Sequence, residues 1–477
     1  MKNVFFKIMV LIIVGFVFAC KEKQESQKEP ELHSKDSNMT DISLLKEAYL
    51  YGYPILTMYY TQEVCTNVEA NNGTGRAPLN QWGGMHEFPK AGFTAVVRPN
   101  TDTYYSLVYA DLSKGPLYLY IPATKRYYLI PILNAFGDVV ASVGSRTTGQ
   151  DEMHIAFVGP AYDQDIPDHL TVIRSNTSLN WVLGRVAVKN NEDGKKEVAN
   201  FQSGLICRPL KDMNVPNYKA PKGKVDSGKN GIPMDVVDGM DITTYFNEMM
   251  ALMVTNPPTK ADEPFMRKLK TLGIVPGGTF DMDQFSEDQQ SEIREIPDFI
   301  QKQFAETTAR PKPGVMQNGW TVNTSGLGNY GTDYALRAYV TKIGFGANTP
   351  EDAIYPNAAV DVNGEKFNGT NKYILHFDAD KLPPVKGFWS VTMYDKNGFL
   401  VDNSIERYEL GSMKDMIYNE DGSLDIYIQS EAPEGREANW LPSTVAGQDF
   451  ELTFRMYWPD ESVINRTWQM PGVQKVK

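Results

Sequence analysis

The sequence predicts an α+β, β-rich fold: two antiparallel domains of β-sandwich or jelly-roll type, joined by a helical connecting region. Three observations lead there. Short runs rich in β-branched and aromatic residues cluster in two blocks, 93–188 and 373–457. Gly, Pro, Asn or Asp separates most of these runs, a spacing that favours antiparallel sheets over crossover-linked parallel ones. Between the blocks, apolar residues recur at three- and four-residue steps, the period of a helix.

The chain begins with a targeting signal. Lys2 and Lys7 precede the uncharged run Ile8–Phe18, which is shorter than the roughly 20 residues a bilayer span needs. The run ends in Val17-Phe18-Ala19-Cys20, so 1–19 reads as a lipoprotein signal peptide and Cys20 as the acylated residue. Acyl chains hold by roughly 0.8 kcal/mol per buried methylene. Residues 20–38 are almost wholly polar and form a disordered tether, because they lack the apolar area to fold. The expected location is the cell envelope, membrane-anchored on an outer-membrane or periplasmic face.

Removing 1–19 takes away two lysines, and 45 basic residues against 59 acidic ones leave a charge of −14. That excludes nucleic acid as a partner and disfavours flat adsorption on anionic lipid. A small molecule is still compatible, since a local basic site can sit in an acidic protein. An oligomer of identical chains also remains open. Cys65 and Cys207 could pair in an oxidising compartment or stay as buried thiols.

The first folded element spans 39–64, where Leu44, Leu45, Ala48, Tyr51 and Ile55 form a helical stripe. Asp41 or Ser43 is the expected cap, and Gly52 and Pro54 are expected to kink or break it. The N-terminal β-rich domain, 39–208, then supplies strands at 117–121, 127–133, 139–143, 154–158, 171–174 and 181–188. Residues 190–196 read as an exposed turn with Gly194 at positive φ. A linker and helical region follows at 209–330, with helices at 242–254, 263–272 and 287–308, the last interrupted at Pro297. The C-terminal β-rich domain, 331–477, opens with a helix at 334–343. Its strands lie at 373–377, 388–394, 424–429 and 450–457, with hairpin turns at Asp395–Gly398 and Asn419–Gly422.

Several stretches carry a family resemblance: RPNTDTYYS (98–106), GSRTTG (144–149), YALRAYVTKIGFGANTPEDAIYP (334–356), GFWSVTMYD (387–395), RYELG (407–411) and NWLPS (439–443). Together they resemble a two-part bacterial family of often exported proteins, whose halves are domains of unknown function 1254 and 1214. The resemblance covers roughly 44–190 and 330–472, in that order. It implies two β-rich domains with helices between them, and no settled activity.

Three constellations could carry chemistry. In 98–106, a fully extended chain would put Arg98, Asn100, Asp102, Tyr104 and Ser106 on one face. The plainer reading is an Asx turn at Asn100, with Asp102 accepting backbone N–H groups and Arg98 ion-paired. The functional one is a ligand-facing patch, with Arg98 for an anion, Asp102 as base or metal ligand and Tyr104 as donor. In GSRTTG, Arg146 offers a fork for a carboxylate or phosphate, or else stacks on tyrosines. The third set is Trp389, Tyr394, Arg407, Tyr408, Asn439, Trp440 and Arg455, where Trp440, placed on a loop, suits stacking on a flat ligand.

Other signatures are missing. The five histidines, at 33, 86, 154, 169 and 376, include no zinc-type pair, and neither a nucleophile elbow nor a phosphate-cradling glycine loop occurs. No metal or cofactor is expected. The reading that follows is an envelope protein binding a small polar or aromatic ligand at or between two β-rich domains. The alternatives are an extracytoplasmic enzyme doing acid–base chemistry with Arg98, Asp102 and Arg146, and a structural, oligomeric envelope protein.

Overall fold

A computed structural model describes residues 40–94, 96–309 and 314–476. The expected signal peptide, Cys20 and the tether lie outside the described residues. Thr40–Lys477 is one compact unit.

Its helical layer is built around one long helix, Asp41–Cys65. The cap is Thr40, not Asp41 or Ser43: its hydroxyl accepts the Ser43 N–H at 3.3 Å. The expected kink or break at Gly52 and Pro54 does not occur, for the helix runs through both. Proline removes one backbone hydrogen bond, but packing on nearly every side holds the segment helical. Leu45, Tyr49, Tyr51, Tyr53, Ile55 and Leu56 are all buried. Their neighbours are the helices Pro233–Asp238, Ile242–Leu252, Ile296–Ala309 and Tyr334–Gly344. Gly52 permits the closest approach, since a Cβ there would overlap Met249 Sδ and lie 3.1 Å from Tyr245.

In the N-terminal half, a five-stranded antiparallel sheet runs in the order Gly83–Gly84, Thr103–Asp111, Leu179–Ala187, Tyr128–Asn134, Val139–Gly144. A four-stranded sheet runs Thr171–Arg174, Met153–Val158, Leu117–Ile121, Ile206–Pro209, with its first pair parallel. Val108, Ile130, Val182 and Val186 of the first sheet share one core with Leu117, Leu119, Ile155 and Phe157 of the second. Alternate residues Tyr109, Leu133 and Leu183 face the other way, into the core of the helical layer.

The C-terminal half repeats this plan. A seven-stranded sheet centres on Phe450–Tyr457 and Trp389–Asp395, with Glu409–Gly411 at one edge. A four-stranded sheet runs Trp440–Pro442, Leu424–Gln429, Tyr373–Phe377, Val473–Lys475. Val391, Met393, Leu452 and Phe454 pack with Leu375, Phe377, Ile426 and Ile428. Gly398 and Gly422 take φ of 83° and 82°, as their hairpin turns require.

Two local expectations change. Residues 190–196 are not an exposed turn: Asn191 Oδ1 accepts the Gly194 N–H at 2.8 Å and starts the helix Glu192–Gly204. Asn is a strong cap and the two acids after it, Glu192 and Asp193, favour a helix N-terminus, so the signal lay in the residue types of the segment itself. Further on, the interruption falls at Glu295, between Glu287–Arg294 and Ile296–Ala309. Pro297 sits in the first turn of the second helix, where no intrahelical donor is needed.

Candidate functional site: a buried polar junction

The strand containing the 98–106 motif begins only at Thr103. Asn100 Oδ1 accepts the backbone N–H of Asp102 at 2.7 Å and of Thr103 at 3.2 Å, which makes the preceding segment an Asx turn. Arg98 adopts φ of 49°. The extended polar stripe therefore does not form, because period-two alternation applies only to extended backbone. Tyr104 turns into the N-terminal core and packs on Phe88, ring centroids 4.8 Å apart. It does not join Asp102.

The turn instead lies on the second face of the large C-terminal sheet. Along Trp389–Asp395, apolar Trp389, Val391 and Met393 point to the core. Their alternates are Ser390, Thr392 and Tyr394. Across the ladder, Ser390 is opposite Arg455, and Thr392 is opposite both Thr453 and Glu409. One face of this sheet is thus apolar and the other polar.

The polar face is bonded to the turn residue by residue. Ser390 Oγ donates to Asp102 Oδ2 at 2.7 Å. Asn100 Nδ2 donates to the Tyr457 hydroxyl at 2.7 Å, and the Tyr394 hydroxyl to the Pro99 carbonyl at 2.7 Å. Arg455 donates to Thr392 Oγ1 and Tyr394 Oη, each at 2.6 Å, and to the Arg98 carbonyl at 3.2 Å. Arg98 itself is ion-paired with Glu451.

Asp102 is 1 % exposed, and its Oδ1 has no hydrogen-bond partner among the described residues. Burial pushes its carboxyl upward, while Arg455, the Ser390 hydroxyl and Lys414 pull it down. Nearby, burial lifts Glu409 to about 7 against the pull of Lys414, whose Nζ lies 2.6 Å from Glu409 Oε1. The charge of Asp102 acts on Glu409 in the same direction as burial.

Arg146 makes a second tie between the halves. Its Nε donates to Asp352 Oδ1 at 2.7 Å, and Ser142 Oγ donates to Asp352 Oδ2 at 2.5 Å. The anion beside GSRTTG is therefore the chain's own Asp352, whose side chain is 0 % exposed. A third tie was not foreseen. Buried Arg185 donates to Asn348 Oδ1 at 2.5 Å and to the Gly346 carbonyl at 3.3 Å, and lies over the Tyr105 ring. One arginine in the otherwise uncharged strand LNWVLGRVA was the available signal.

Of the third constellation, only Tyr394 and Arg455 reach this junction. Trp389 stacks on Phe454 inside the core. Trp440 is 8 % exposed, and its Nε1 donates to the Gln429 carbonyl at 2.8 Å. Trp440 is not on a loop as expected but opens the strand Trp440–Pro442, and Arg407 Nη1 donates to the carbonyls of Glu437 and Trp440 at 2.6 and 2.9 Å, bracing the turn that leads into it. The Tyr408 hydroxyl accepts the Ala91 N–H at 3.2 Å. Asn439 bonds both backbone groups of Ile417.

Cys65 and Cys207 are free thiols. Among the described residues no group of three or more His, Cys, Asp or Glu is placed to hold a metal ion. Two surface cavities lie away from the junction: one of about 480 Å³ beside Glu263–Lys270, and one of about 320 Å³ around His376 and Asp425.

Comparison with known proteins places this architecture. The model for a protein of unknown function, DUF1254, matches residues 79–209, and that for DUF1214 matches residues 352–461. No curated protein matches the sequence. The solved structure of the VPA0106 protein from Vibrio parahaemolyticus shares the fold, with 23 % identity and a TM-score of 0.68, covering 92 % of this chain and 100 % of that one. An uncharacterised protein from Burkholderia cenocepacia gives 11 % identity and a TM-score of 0.41, over 91 % and 94 % of the two chains. This chain belongs to the family of proteins of unknown function that carry a DUF1254 domain followed by a DUF1214 domain.

Proposed function

We propose that the protein is an exported, lipid-tethered binding protein of the cell envelope that holds a small polar ligand at the junction of its two β-rich halves. The observation that carries this reading is Asp102 Oδ1, a buried carboxylate oxygen with no donor among the described residues, set between two sheets that fix its position. Leaving such an acceptor unpaired costs about 1–3 kcal/mol or more, so a ligand bringing a hydroxyl, amide or ammonium hydrogen gains what the free protein lacks. Lys414, 31 % exposed, marks the side where the junction meets solvent.

Native mass spectrometry of the purified protein tests this. The wild type is expected to retain a small molecule that Asp102→Asn releases with little change in melting temperature. Equal retention by both proteins refutes the site.

Glu409 gives the catalytic alternative a specific basis. A carboxylic acid near neutrality beside a second buried carboxylate is the arrangement used for proton transfer at pH 7. On that reading Glu409→Gln keeps the ligand and stops its turnover; loss of binding instead removes it. The tether rests on the apolar run Ile8–Phe18 and on Cys20. No helix among the described residues is long and apolar enough to cross a membrane. Cys20→Ser is expected to move the protein from the membrane fraction to the soluble one, and retention with the membrane would refute acylation as its anchor.

A further inference from the structure

The geometry points to a second binding site, in the 480 Å³ cavity beside the helix Glu263–Lys270, for a free small amphiphile with one anionic head and an apolar body. This site shares no residue with the junction.

Lys260, Glu263, Arg267 and Lys270 all line the cavity. Their spacing of three, four and three residues puts them on one helical stripe. Phe265 and Leu269 occupy the opposite, buried side. Met266 of the same helix, with Ile274 and Val275 from the segment after it, supplies apolar lining. Three cations against one acid make this a locally positive cavity in a chain of net charge −12. Among the described residues none of the three is held in an ion pair.

Cations near a helix C-terminus often serve only to complement its dipole, and Arg267 and Lys270 stand in the last turn. Lys260 does not fit that explanation. It precedes the helix, at the end where the dipole repels a cation. The one acid of the stripe, Glu263, lies three residues from Lys260, so the stripe as a whole keeps an excess of two positive charges that an anionic head would offset.

The walls are anchored to the body of the protein. Thr259 donates from its N–H and hydroxyl to Asp262 Oδ2 at 2.8 and 2.7 Å, and Tyr334 donates to Asp262 Oδ1 at 2.9 Å. On the other side the Gly277 N–H is bonded to the Met250 carbonyl at 2.8 Å. The volume falls within the roughly 300–1,000 Å³ typical of small-molecule sites.

Fluorescence titration with two probes of similar shape tests this: anionic 1-anilinonaphthalene-8-sulfonate and neutral N-phenyl-1-naphthylamine. The wild type is expected to bind the anionic probe saturably. The triple variant Lys260→Gln, Arg267→Gln, Lys270→Gln, altered only at exposed positions, should bind it about tenfold more weakly while its affinity for the neutral probe moves less than about twofold. Met266→Trp, which fills the apolar end, should weaken both probes. Unsaturable binding to the wild type, or equal affinity of wild type and triple variant for the anionic probe, overturns the proposal.

Discussion

Replacing Glu409 by Gln probes how the two halves are held together. Glu409 is buried on the polar face of the C-terminal sheet, and the folded protein keeps its proton up to about pH 7, against an ordinary value of 4.5. Between those values the folded state binds more protons than the unfolded chain. The stabilisation from this group is therefore complete below about pH 4.5 and is lost as pH rises through 7. That rise in pKa corresponds to roughly 3 kcal/mol in full, most of it falling between pH 5 and pH 8. Asp102 is shifted in the same direction, so the wild-type decline has a second contributor. The variant isolates the first, because Gln cannot ionise and its amide oxygen still faces Lys414. Urea unfolding at pH 5 and pH 8 should show wild type losing about 2 kcal/mol more than Glu409→Gln over that interval. Parallel profiles would mean that Glu409 is already ionised in the folded protein at pH 5, and the account of the junction as a carboxylate held protonated by burial would fail.

Three further substitutions test other parts of the structure by urea unfolding. Gly52→Ala forces a methyl group into Met249 and Tyr245 and should cost about 1–3 kcal/mol, whereas an unchanged midpoint would show that the helix contact is loose. Asp352→Ala removes the acceptor for both Arg146 and Ser142 and should cost about 2–3 kcal/mol, and a loss below that range would make the tie marginal. Asn191→Ala should cost about 1 kcal/mol if its side chain caps the helix Glu192–Gly204 as the geometry indicates.

The strands were legible because their evidence is local. Leu117–Ile121, Thr171–Arg174, Tyr373–Phe377 and Phe450–Tyr457 lie where composition and turn residues place them. Pro54 was misleading for the converse reason. Its cost is local, while the packing that outweighs it comes from helices near residues 240, 300 and 340. The motif at 98–106 held both lessons. Its Asn100 turn could be written from residue type, but which face Asp102 and Tyr104 present depended on where the strand begins.

By itself the sequence determined the class of fold, the order of its two β-rich halves and the stretches in which polar side chains would need partners. Hydrophobic period, turn chemistry and hydrogen-bonding capacity are all properties of neighbouring residues. Only the tertiary structure decided the identity of those partners: Ser390 for Asp102 across 288 residues, and Asp352 for Arg146 across 206. Such pairs carry no local signature. They form because the polar face of one sheet is buried against the other half, where each donor or acceptor must be satisfied by whatever group the fold brings opposite.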